Sequence, residues 1–347
     1  MLKTNQMALY FLIFFLAFAC KKNETGNPAP EPIPITPKPE KDPINSTAVD
    51  YFGALKVSGN KIVGKDNTPV QLRGMSFFWS QWIGKYYNNG CVKWLKDDWY
   101  CNVVRAAMAV EEGGYLTNPD YEKKKVFDVV DAAIANGLYV IIDWHDHNAT
   151  RHLQEAKKFF AEVAQKYGDK PNVIYEPFNE PLQISWSSAI KPYHQAIIDT
   201  IRRHDPDNLI VCGTPTWSQD VDIAANDPLV GTNIAYTLHF YSGTHKQSLR
   251  DKAKTALNRG IALMVTEFGT TDASGDGFVN QSETNLWFSF MDENKLSWCN
   301  WSVADKIEGS ASLVSGAPDT GGWLLNQLTT SGIYIRSEMK DKNLRFK

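Results

Sequence analysis

The chain has 347 residues, of which 43% are hydrophobic and 12% aromatic, so it can bury a sizeable core. A single barrel of alternating strands and helices uses about 250 residues, and one such domain would account for most of the length. The formal net charge of −3 gives no basic surface that would attract nucleic acid, which excludes that class of partner.

Residues 1–20 predict an export signal. Lys3 is followed by an apolar segment, 7–18, that is too short to span a bilayer comfortably. A small residue and Cys20 come next, and this arrangement resembles the lipobox of bacterial lipoproteins, in which the cysteine is lipidated. The resemblance implies a lipoprotein-type signal peptide and a membrane anchor through Cys20, at the outer membrane or cell surface. An ordinary cleaved signal peptide is the alternative, and it would deliver the protein to the periplasm or the medium.

Residues 21–48 differ in composition from the rest of the chain. Seven prolines lie between residues 28 and 43, among polar residues and with few aromatic side chains. Such a segment cannot bury enough apolar surface to fold, and its prolines favour extended polyproline II structure. We therefore expect a Pro-rich disordered linker over 21–48 and one folded domain over 49–347.

The remaining sequence alternates short apolar segments with segments of helical periodicity. A β-hairpin is predicted first, with strands Leu55–Val57 and Lys61–Val63 joined by a turn at Gly59-Asn60. Eight apolar segments then have the composition of buried strands. Their predicted ends lie near Phe78, Met108, His145, Glu180, Thr214, Tyr241, Glu267 and Trp301.

Helical segments separate most of these strands. They are Tyr121–Asn136, Arg151–Tyr167, Ser187–His204, Gln247–Arg259 and Glu283–Asn294. Six strand–helix units lie between Arg105 and Trp301, so one unit takes (301 − 105)/6, or about 33 residues. This alternation predicts an α/β fold with a parallel sheet. Because polar residues gather at the carboxyl ends of the strands, we expect a closed (β/α)8 TIM barrel, preceded by the short hairpin, with these residues around one pocket.

The most informative residues are Glu180 and Glu267, which end the fourth and seventh predicted strands. A carboxylate at the end of a buried strand points into the pocket that the strand ends surround. Two such carboxylates are the minimum that glycoside hydrolysis requires, in which one protonates the leaving oxygen and the other attacks or activates water. The pair therefore predicts a glycosidase site.

Strand periodicity predicts which side chains share the pocket. Residues two apart in a strand lie on the same face, so His239 and Tyr241 are expected to point the same way. By the same rule, Leu263, Val265 and Glu267 are expected to form a stack that faces the barrel interior.

Several short motifs resemble, in order and spacing, those of glycoside hydrolase family 5. They are Arg105 in Val-Val-Arg-Ala-Ala-Met, His145 in Asp-Trp-His, Asn179-Glu180-Pro181, His239 and Tyr241 in Leu-His-Phe-Tyr, Glu267 in Val-Thr-Glu-Phe-Gly, and Trp301 in Asn-Trp-Ser. Segments 213–220 and 305–308 are similar to those of the bacterial endoglucanase subfamily. The resemblance extends over about Tyr51 to Met339.

The resemblance implies a retaining endo-β-1,4-glucanase that cuts cellulose-like or mixed-linkage β-glucan by double displacement. Glu180 would be the general acid/base and Glu267 the nucleophile, with their carboxyl groups about 5–5.5 Å apart. Asn179 would bind the 2-hydroxyl of the sugar, and Arg105 and Tyr241 would keep Glu267 ionised. The expected partner is a β-glucan, and the expected state is a monomer without a cofactor.

Further residues are implied to contact or surround the sugar. Histidines would bind hydroxyls or orient the carboxylates, tryptophans would stack on sugar rings, and a Lys/Glu pair would bind hydroxyls one ring further out. These residues are His145, His239, Trp301, Trp82, Trp217, Lys306 and Glu308.

Two further patterns have a structural and a functional interpretation. Glu176 lies on the same face of its strand as Glu180 but deeper, and we expect a buried partner of Arg105 rather than a catalytic group. His145 and His147 form a His-x-His pair, which binds metal in amidohydrolase barrels. The matching ligands at other strand ends are missing from the sequence, so no metal is expected.

The segment from Asp272 to Glu283 has the spacing of a calcium-binding loop. It follows a buried strand rather than a helix, which favours an active-site loop and leaves calcium binding as the alternative.

Four cysteines lie in the folded part. Cys212 and Cys299 fall within strands and are expected to be small core residues, whereas pairing of Cys91 with Cys101 is left open.

Two other functions are compatible with such a barrel. An endo-β-mannanase or another β-glycanase would use the same chemistry with different substrate contacts. A glycan-binding lipoprotein without catalysis would be expected to lack one of the two carboxylates, and both are present.

Overall fold

The computed structural model describes residues 40–347, so the predicted signal peptide and most of the predicted linker lie outside the described residues. The barrel unit begins at Lys41. Ile44 pairs with the C-terminal segment, because its backbone N–H donates to Arg345 O at 2.8 Å and its carbonyl accepts from Lys347 N at 3.2 Å. The last residues assigned to the linker, 41–48, therefore belong to the barrel unit.

Eight parallel strands form a closed barrel, as the alternating sequence pattern predicts. In chain order they are Arg73–Phe77, Val103–Ala109, Tyr139–His145, Val173–Glu176, Ile210–Cys212, Ile234–Tyr241, Leu263–Gly269 and Trp298–Val303. We number them one to eight. The eighth strand pairs with both the first and the seventh, which closes the sheet.

Helices cover the outside of the barrel. The α-helices are Ala48–Phe52, Asn89–Asp97, Pro119–Ala135, Leu153–Tyr167, Lys191–Arg202, Val221–Asn226, Gln247–Asn258, Gln281–Asn294 and Thr330–Lys342, whereas Pro215–Ser218 is a single turn with left-handed backbone angles. Single turns at Gly84–Tyr86, Ala149–Arg151 and Leu325–Gln327 are 3₁₀, and Trp186–Ile190 is a π-turn. The five predicted helices are present, and the one expected from Ser187 begins with that π-turn. Within residues 40–347, no helix combines the length and the apolar character needed to cross a bilayer.

The predicted hairpin closes the amino-terminal end of the barrel. Its strands are Lys56–Ser58 and Lys61–Val63, and Ile62 packs with inward-facing barrel residues such as Ile141 and Met264. A separate and larger apolar layer lies between the strands and the outer helices. The lower half of the barrel is thus filled with apolar side chains, and polar side chains occupy the upper, carboxyl end.

The seventh strand, Leu263–Gly269, contains a β-bulge. Thr237 of the sixth strand pairs with Met264, whereas His239 pairs with Glu267. One residue of the sixth strand, Leu238, therefore lies opposite two residues of the seventh, Val265 and Thr266, which is the definition of a bulge. The pairing with the eighth strand shifts in the same place.

The bulge changes which side chains face inward. Met264 packs inside the barrel, and Leu263 and Val265 pack in the outer layer against the helices. Thr266 and Glu267 then both point to polar groups of the interior. The prediction that Leu263 and Val265 stack inside below Glu267 is wrong, because the extra residue shifts the alternation of the strand by one.

The four cysteines of the described chain are buried thiols. Cys91 lies on the helix Asn89–Asp97 and Cys101 just before the second strand, and the two are not joined by a disulfide. Cys212 and Cys299 are buried within the fifth and eighth strands, which confirms their interpretation as small core residues.

Candidate active site

An open groove crosses the carboxyl end of the barrel. It has two adjoining parts, with volumes of about 450 Å³ and about 210 Å³, and Glu180, Tyr241 and Glu267 line both. The larger part extends to Trp217, and the smaller part to Trp82. The two predicted carboxylates thus lie at the junction, with space for a chain on either side.

Glu180 and Glu267 face each other at this junction. One carboxylate oxygen of each, together with a ring nitrogen of His239, lies within 4.8 Å of the others. Retaining glycosidases hold their two carboxyl groups about 5–5.5 Å apart, and inverting enzymes about 6.5–9.5 Å apart to admit water. The observed separation is of the retaining kind.

The two carboxylates come from different kinds of segment. Glu267 lies within the seventh strand, just after the bulge. The fourth strand ends at Glu176, so Glu180 lies in the loop beyond it and does not end the strand as predicted. The loop is held to the neighbouring strand by Asn179 N–H, which donates to Trp144 O at 3.2 Å.

Arg105 connects the buried acidic groups of the barrel. Its Nη1 lies 3.0 Å from Glu267 Oε2, its Nε donates to Glu176 Oε2 at 2.8 Å, and its Nη2 donates to Asn179 Oδ1 at 2.7 Å. Glu176 is fully buried, and the structure confirms it as a partner of Arg105. Burial opposes the charge on Glu176, but Arg105 and His239 outweigh it and lower the pKa of this carboxyl.

The second oxygen of Glu267 is bound by Tyr241, whose hydroxyl donates to Oε1 at 2.9 Å. Burial and the charge of Glu180 raise the pKa of Glu267, while His239, Arg105 and this hydrogen bond favour its carboxylate form. Glu267 is therefore a buried carboxylate whose ionised form depends on these neighbours.

His239 links the acidic groups of the fourth strand and its loop. Its Nδ1 lies 3.0 Å from Glu180 Oε1, and its Nε2 lies 2.9 Å from Thr266 Oγ1, which in turn donates to Glu176 Oε1 at 2.7 Å. Burial opposes a charge on the ring, but the nearby carboxylates of Glu176 and Glu180 prevail and raise the pKa of His239 to about 9. Both ring nitrogens are then donors near neutral pH.

His145 and the indole ring of Trp301 form the floor of the smaller part of the groove. The two rings are stacked, with centroids 5.2 Å apart and planes at 3°. His145 Nδ1 lies 2.6 Å from Asp143 Oδ2. Burial and the nearby Arg105 lower the pKa of His145 well below its usual value, so the ring is neutral.

The remaining predicted contacts divide between the two parts of the groove. Trp82 and Trp301 line the smaller part, together with Lys306 and Glu308, which form an ion pair at 2.5 Å. Trp217 lines the larger part. Trp82 is 57% exposed and Trp217 is 38% exposed, so each offers a ring face to a ligand.

The segment with a calcium-loop spacing is part of the groove wall. Ala273, Ser274 and Gly275 line the smaller part. Glu283, which would supply the last calcium ligand, lies at the start of the next helix and pairs with Arg250. The position of the segment in the groove wall agrees with its interpretation as an active-site loop.

The His-x-His pair is not part of a ligand cluster. Among residues 40–347, the sets with three or more potential ligands close together are Glu180–His239–Glu267 and Glu111–Asp146–His152. The ring of His147 instead stacks on Trp79, with centroids 5.7 Å apart and planes at 13°.

Sequence reasoning missed several residues of the site. Trp79 packs edge-on against His145 at 4.1 Å and lines the smaller part of the groove. Thr266 connects Glu176 to His239, and His245 lines the larger part. The sequence signal that could have indicated these residues is their aromatic or polar character close to strand ends. Their contacts could not be predicted, because they depend on the bulge and on the paths of the loops.

A closed (β/α)8 barrel with two facing carboxylates in an open groove defines a glycoside hydrolase. The sequence model of cellulase, glycosyl hydrolase family 5, matches residues 63–307. The chain belongs to this family. It is 54% identical over 298 residues to endoglucanase Z of Dickeya dadantii, and the match covers 85% of this chain and 68% of that relative.

Solved structures have the same fold. A structure from Cytophaga hutchinsonii has a TM-score of 0.85 and 56% identity, covering 86% of this chain and 97% of that one. The catalytic domain of endoglucanase Cel5A (E5) of Thermobifida fusca has a TM-score of 0.82 and 34% identity, covering 85% and 99%. These similarities extend over the barrel and agree with the predicted fold and family.

Proposed function

We propose that the chain is a retaining endo-β-1,4-glucanase, with Glu267 as nucleophile and Glu180 as general acid/base. The observation that carries the proposal is the short separation of these carboxylates, within 4.8 Å, at the middle of a groove that is open on both sides. A polysaccharide can lie across such a groove, so the bond that is cut is an internal one.

The geometry supports a double displacement. In the first step Glu267 attacks the anomeric carbon, the glycosidic bond breaks, and the proton of Glu180 goes to the departing oxygen. In the second step Glu180 takes a proton from water, which attacks the anomeric carbon and releases Glu267 as a carboxylate. Once Glu267 is esterified its negative charge is gone, so the ionised form of Glu180 is less opposed and can act as the base.

The surroundings of Glu267 fit the role of nucleophile. Arg105 binds one oxygen and Tyr241 the other, so the carboxylate is fixed in orientation. Asn179 uses its Oδ1 for Arg105, which leaves the amide nitrogen as the donor for the 2-hydroxyl of the sugar. That contact strengthens in the transition state of retaining glycosidases.

The choice of β-1,4-glucan rests on the relatives and on the aromatic residues of the groove. Endoglucanase Z and a relative from Clostridium saccharobutylicum, 47% identical over 302 residues, are both named endoglucanases. A form of the Thermobifida fusca catalytic domain was solved with cellotetraose. We assign the part of the groove with Trp82 and Trp301 to the portion of the substrate that becomes covalently bound to Glu267. The part with Trp217 is assigned to the leaving group.

A substrate panel tests the proposal. Release of reducing sugar is measured from carboxymethylcellulose, barley glucan, glucomannan and xylan, and the anomeric form of the first product is followed by NMR. We expect activity on the first two substrates and a β-configured product. Activity on glucomannan alone would favour the alternative of an endo-β-mannanase, and an α-configured product would contradict the mechanism. No hydrolysis of any substrate would favour the non-catalytic glycan-binding alternative.

We further propose that the enzyme is a monomer anchored through lipidated Cys20 at the outer membrane or cell surface. The support is the sequence of residues 1–20 and the Pro-rich segment that follows. Labelling of cells with a palmitate analogue tests the anchor, with Cys20→Ala as the control. A protein that is labelled equally in both forms, or secreted without label, would contradict it.

A further inference from the structure

The segment 214–220, which follows the fifth strand, has an unusual backbone. Thr216, Trp217 and Ser218 have φ angles of 58°, 53° and 57°. Three consecutive non-glycine residues are therefore in the left-handed region, which L-residues rarely occupy and which a β-branched residue such as threonine tolerates least. Such a turn persists only when the surrounding structure holds it.

One set of hydrogen bonds ties this turn to the residues that follow Glu180. Trp217 N–H donates to Pro181 O at 2.8 Å, and Thr216 N–H donates to Leu182 O at 3.2 Å. The left-handed conformation is what directs these backbone donors toward the loop of the fourth strand.

A further hydrogen bond ties the turn to the residue that precedes Glu180. Ser218 Oγ donates to Asn179 O at 2.8 Å and also accepts from Thr214 N–H at 3.3 Å. Ser218 is fully buried. The turn therefore binds carbonyl groups on both sides of Glu180.

Two more features bring the segments together. A Cβ added to Gly213 would lie 2.2 Å from Phe178 O, so only glycine permits this approach of the two backbones. The far end of the turn is fixed by Thr216 Oγ1, which donates to Asp220 Oδ2 at 2.6 Å, and Asp220 pairs with Lys252 at 2.5 Å.

We propose that the left-handed turn 216–218 is a positioning element that couples the leaving-group side of the groove to Glu180, with Ser218 as its positioning residue. This inference rests on the proposed function. The ring of Trp217 and the hydrogen bonds to the Glu180 loop belong to the same three residues. A sugar ring stacked on Trp217 is thereby held at a set distance from the proton that it must receive.

The experiment compares two substrates that differ in their need for an acid. Cellotetraose has a poor leaving group and requires protonation, whereas 2,4-dinitrophenyl cellobioside does not. For both, kcat/KM reports the first chemical step. In the full chain, Ser218→Ala is expected to lower kcat/KM for cellotetraose about tenfold and to change the value for the dinitrophenyl substrate less than about twofold.

A second variant protects the test against failure of Ser218→Ala to fold. Asp220→Ala removes the acceptor of the Thr216 hydroxyl and so loosens the turn without changing Thr216 or the Ser218 hydroxyl, and the same pattern is expected. Ser289→Ala is the matched control, since Ser289 is exposed on an outer helix and bonds only locally to Asn285 O. It should leave both values unchanged.

A double-mutant cycle tests the coupling itself. If Trp217 and Ser218 act through one turn, the combined loss for Trp217→Ala with Ser218→Ala is smaller than the product of the single losses. Equal losses on both substrates, or no loss on cellotetraose, would overturn the inference. Failure of the proposed function is distinguishable, because the unsubstituted enzyme would then not cut cellotetraose at all.

Discussion

Arg105 Nη1 lies 3.0 Å from Glu267 Oε2 inside a closed barrel, and the opposite edge of the same guanidinium binds Glu176. Asp143 lies 2.9 Å from Arg105 Nη2 as well. One permanent cation thus serves three buried carboxyl groups. The negative charges of three carboxylates would exceed this one positive charge. Acidic neighbours raise the pKa of His239 in spite of its burial, and burial raises the pKa of Asp143. Protons held by these two groups therefore reduce the excess of negative charge.

Removal of this cation is expected to affect stability as well as activity. Arg105→Met leaves buried carboxylates without their partner, and we expect the free energy of unfolding at pH 7 to fall by about 3–5 kcal/mol, with loss of hydrolysis. Urea unfolding measures the change. The control is Arg336→Met, because Arg336 makes a comparable bidentate pair with Asp98 near the surface. There we expect about 1 kcal/mol or less, and similar losses in both variants would contradict the prediction.

Tyr241→Phe removes one hydrogen bond from Glu267 and leaves the ring in place. The bond favours the carboxylate form, so its loss raises the pKa of Glu267 further. Activity that requires the carboxylate is lost as pH falls through this pKa, so the acidic limb of the kcat/KM profile should move to higher pH by up to about one unit. The profile is measured with 2,4-dinitrophenyl cellobioside. Tyr334→Phe, which removes a hydroxyl bonded to Asn285 far from the groove, should leave it in place. An unchanged limb in Tyr241→Phe would refute the argument.

His239 should make stability depend on pH in a defined window. Its pKa is raised to about 9 in the folded protein, from an ordinary value near 6.5, so protonation stabilises the folded state. The contribution is fully present below about pH 6.5 and is lost as pH rises through about 9, and it amounts to about 3 kcal/mol.

The comparison for this prediction is between the unsubstituted protein and His239→Gln. Between pH 6.5 and pH 9, the free energy of unfolding of the unsubstituted protein should fall relative to that of the variant. His204→Gln, at an exposed histidine, should give a curve parallel to the unsubstituted protein. Parallel curves for His239→Gln would show that the ring is neutral in the folded state.

The roles of the two carboxylates can be separated by the leaving group of the substrate. Glu267→Ala should abolish hydrolysis of every substrate, since no covalent intermediate can form. Glu180→Ala should abolish hydrolysis of cellotetraose but retain the first step with 2,4-dinitrophenyl cellobioside, seen as a burst of dinitrophenol. Glu162→Ala, at a residue paired with Lys123 outside the groove, serves as control. Equal losses for both substrates in Glu180→Ala would argue against the assignment.

Much of the fold could be predicted because it depends on local pattern. The alternation of apolar strands and amphipathic helices at about 33 residues implies a parallel sheet, and the barrel confirms it. Glu176 and Glu267 could be placed at one end from their positions on the predicted strands, and Arg105 from the resemblance to the family. Prediction was less accurate for Glu180, because a loop extends beyond the fourth strand.

The amino-acid order by itself determined the chemistry of the groove, since the identity and order of Glu180, Glu267 and Arg105 are properties of the chain. The tertiary structure alone decided how Glu267 is presented: a bulge near Val265 shifts the strand by one residue. The same holds for the turn at Ser218, whose conformation depends on carbonyl groups far along the chain. Local periodicity cannot encode either feature, because both arise from pairing between segments that are distant in sequence.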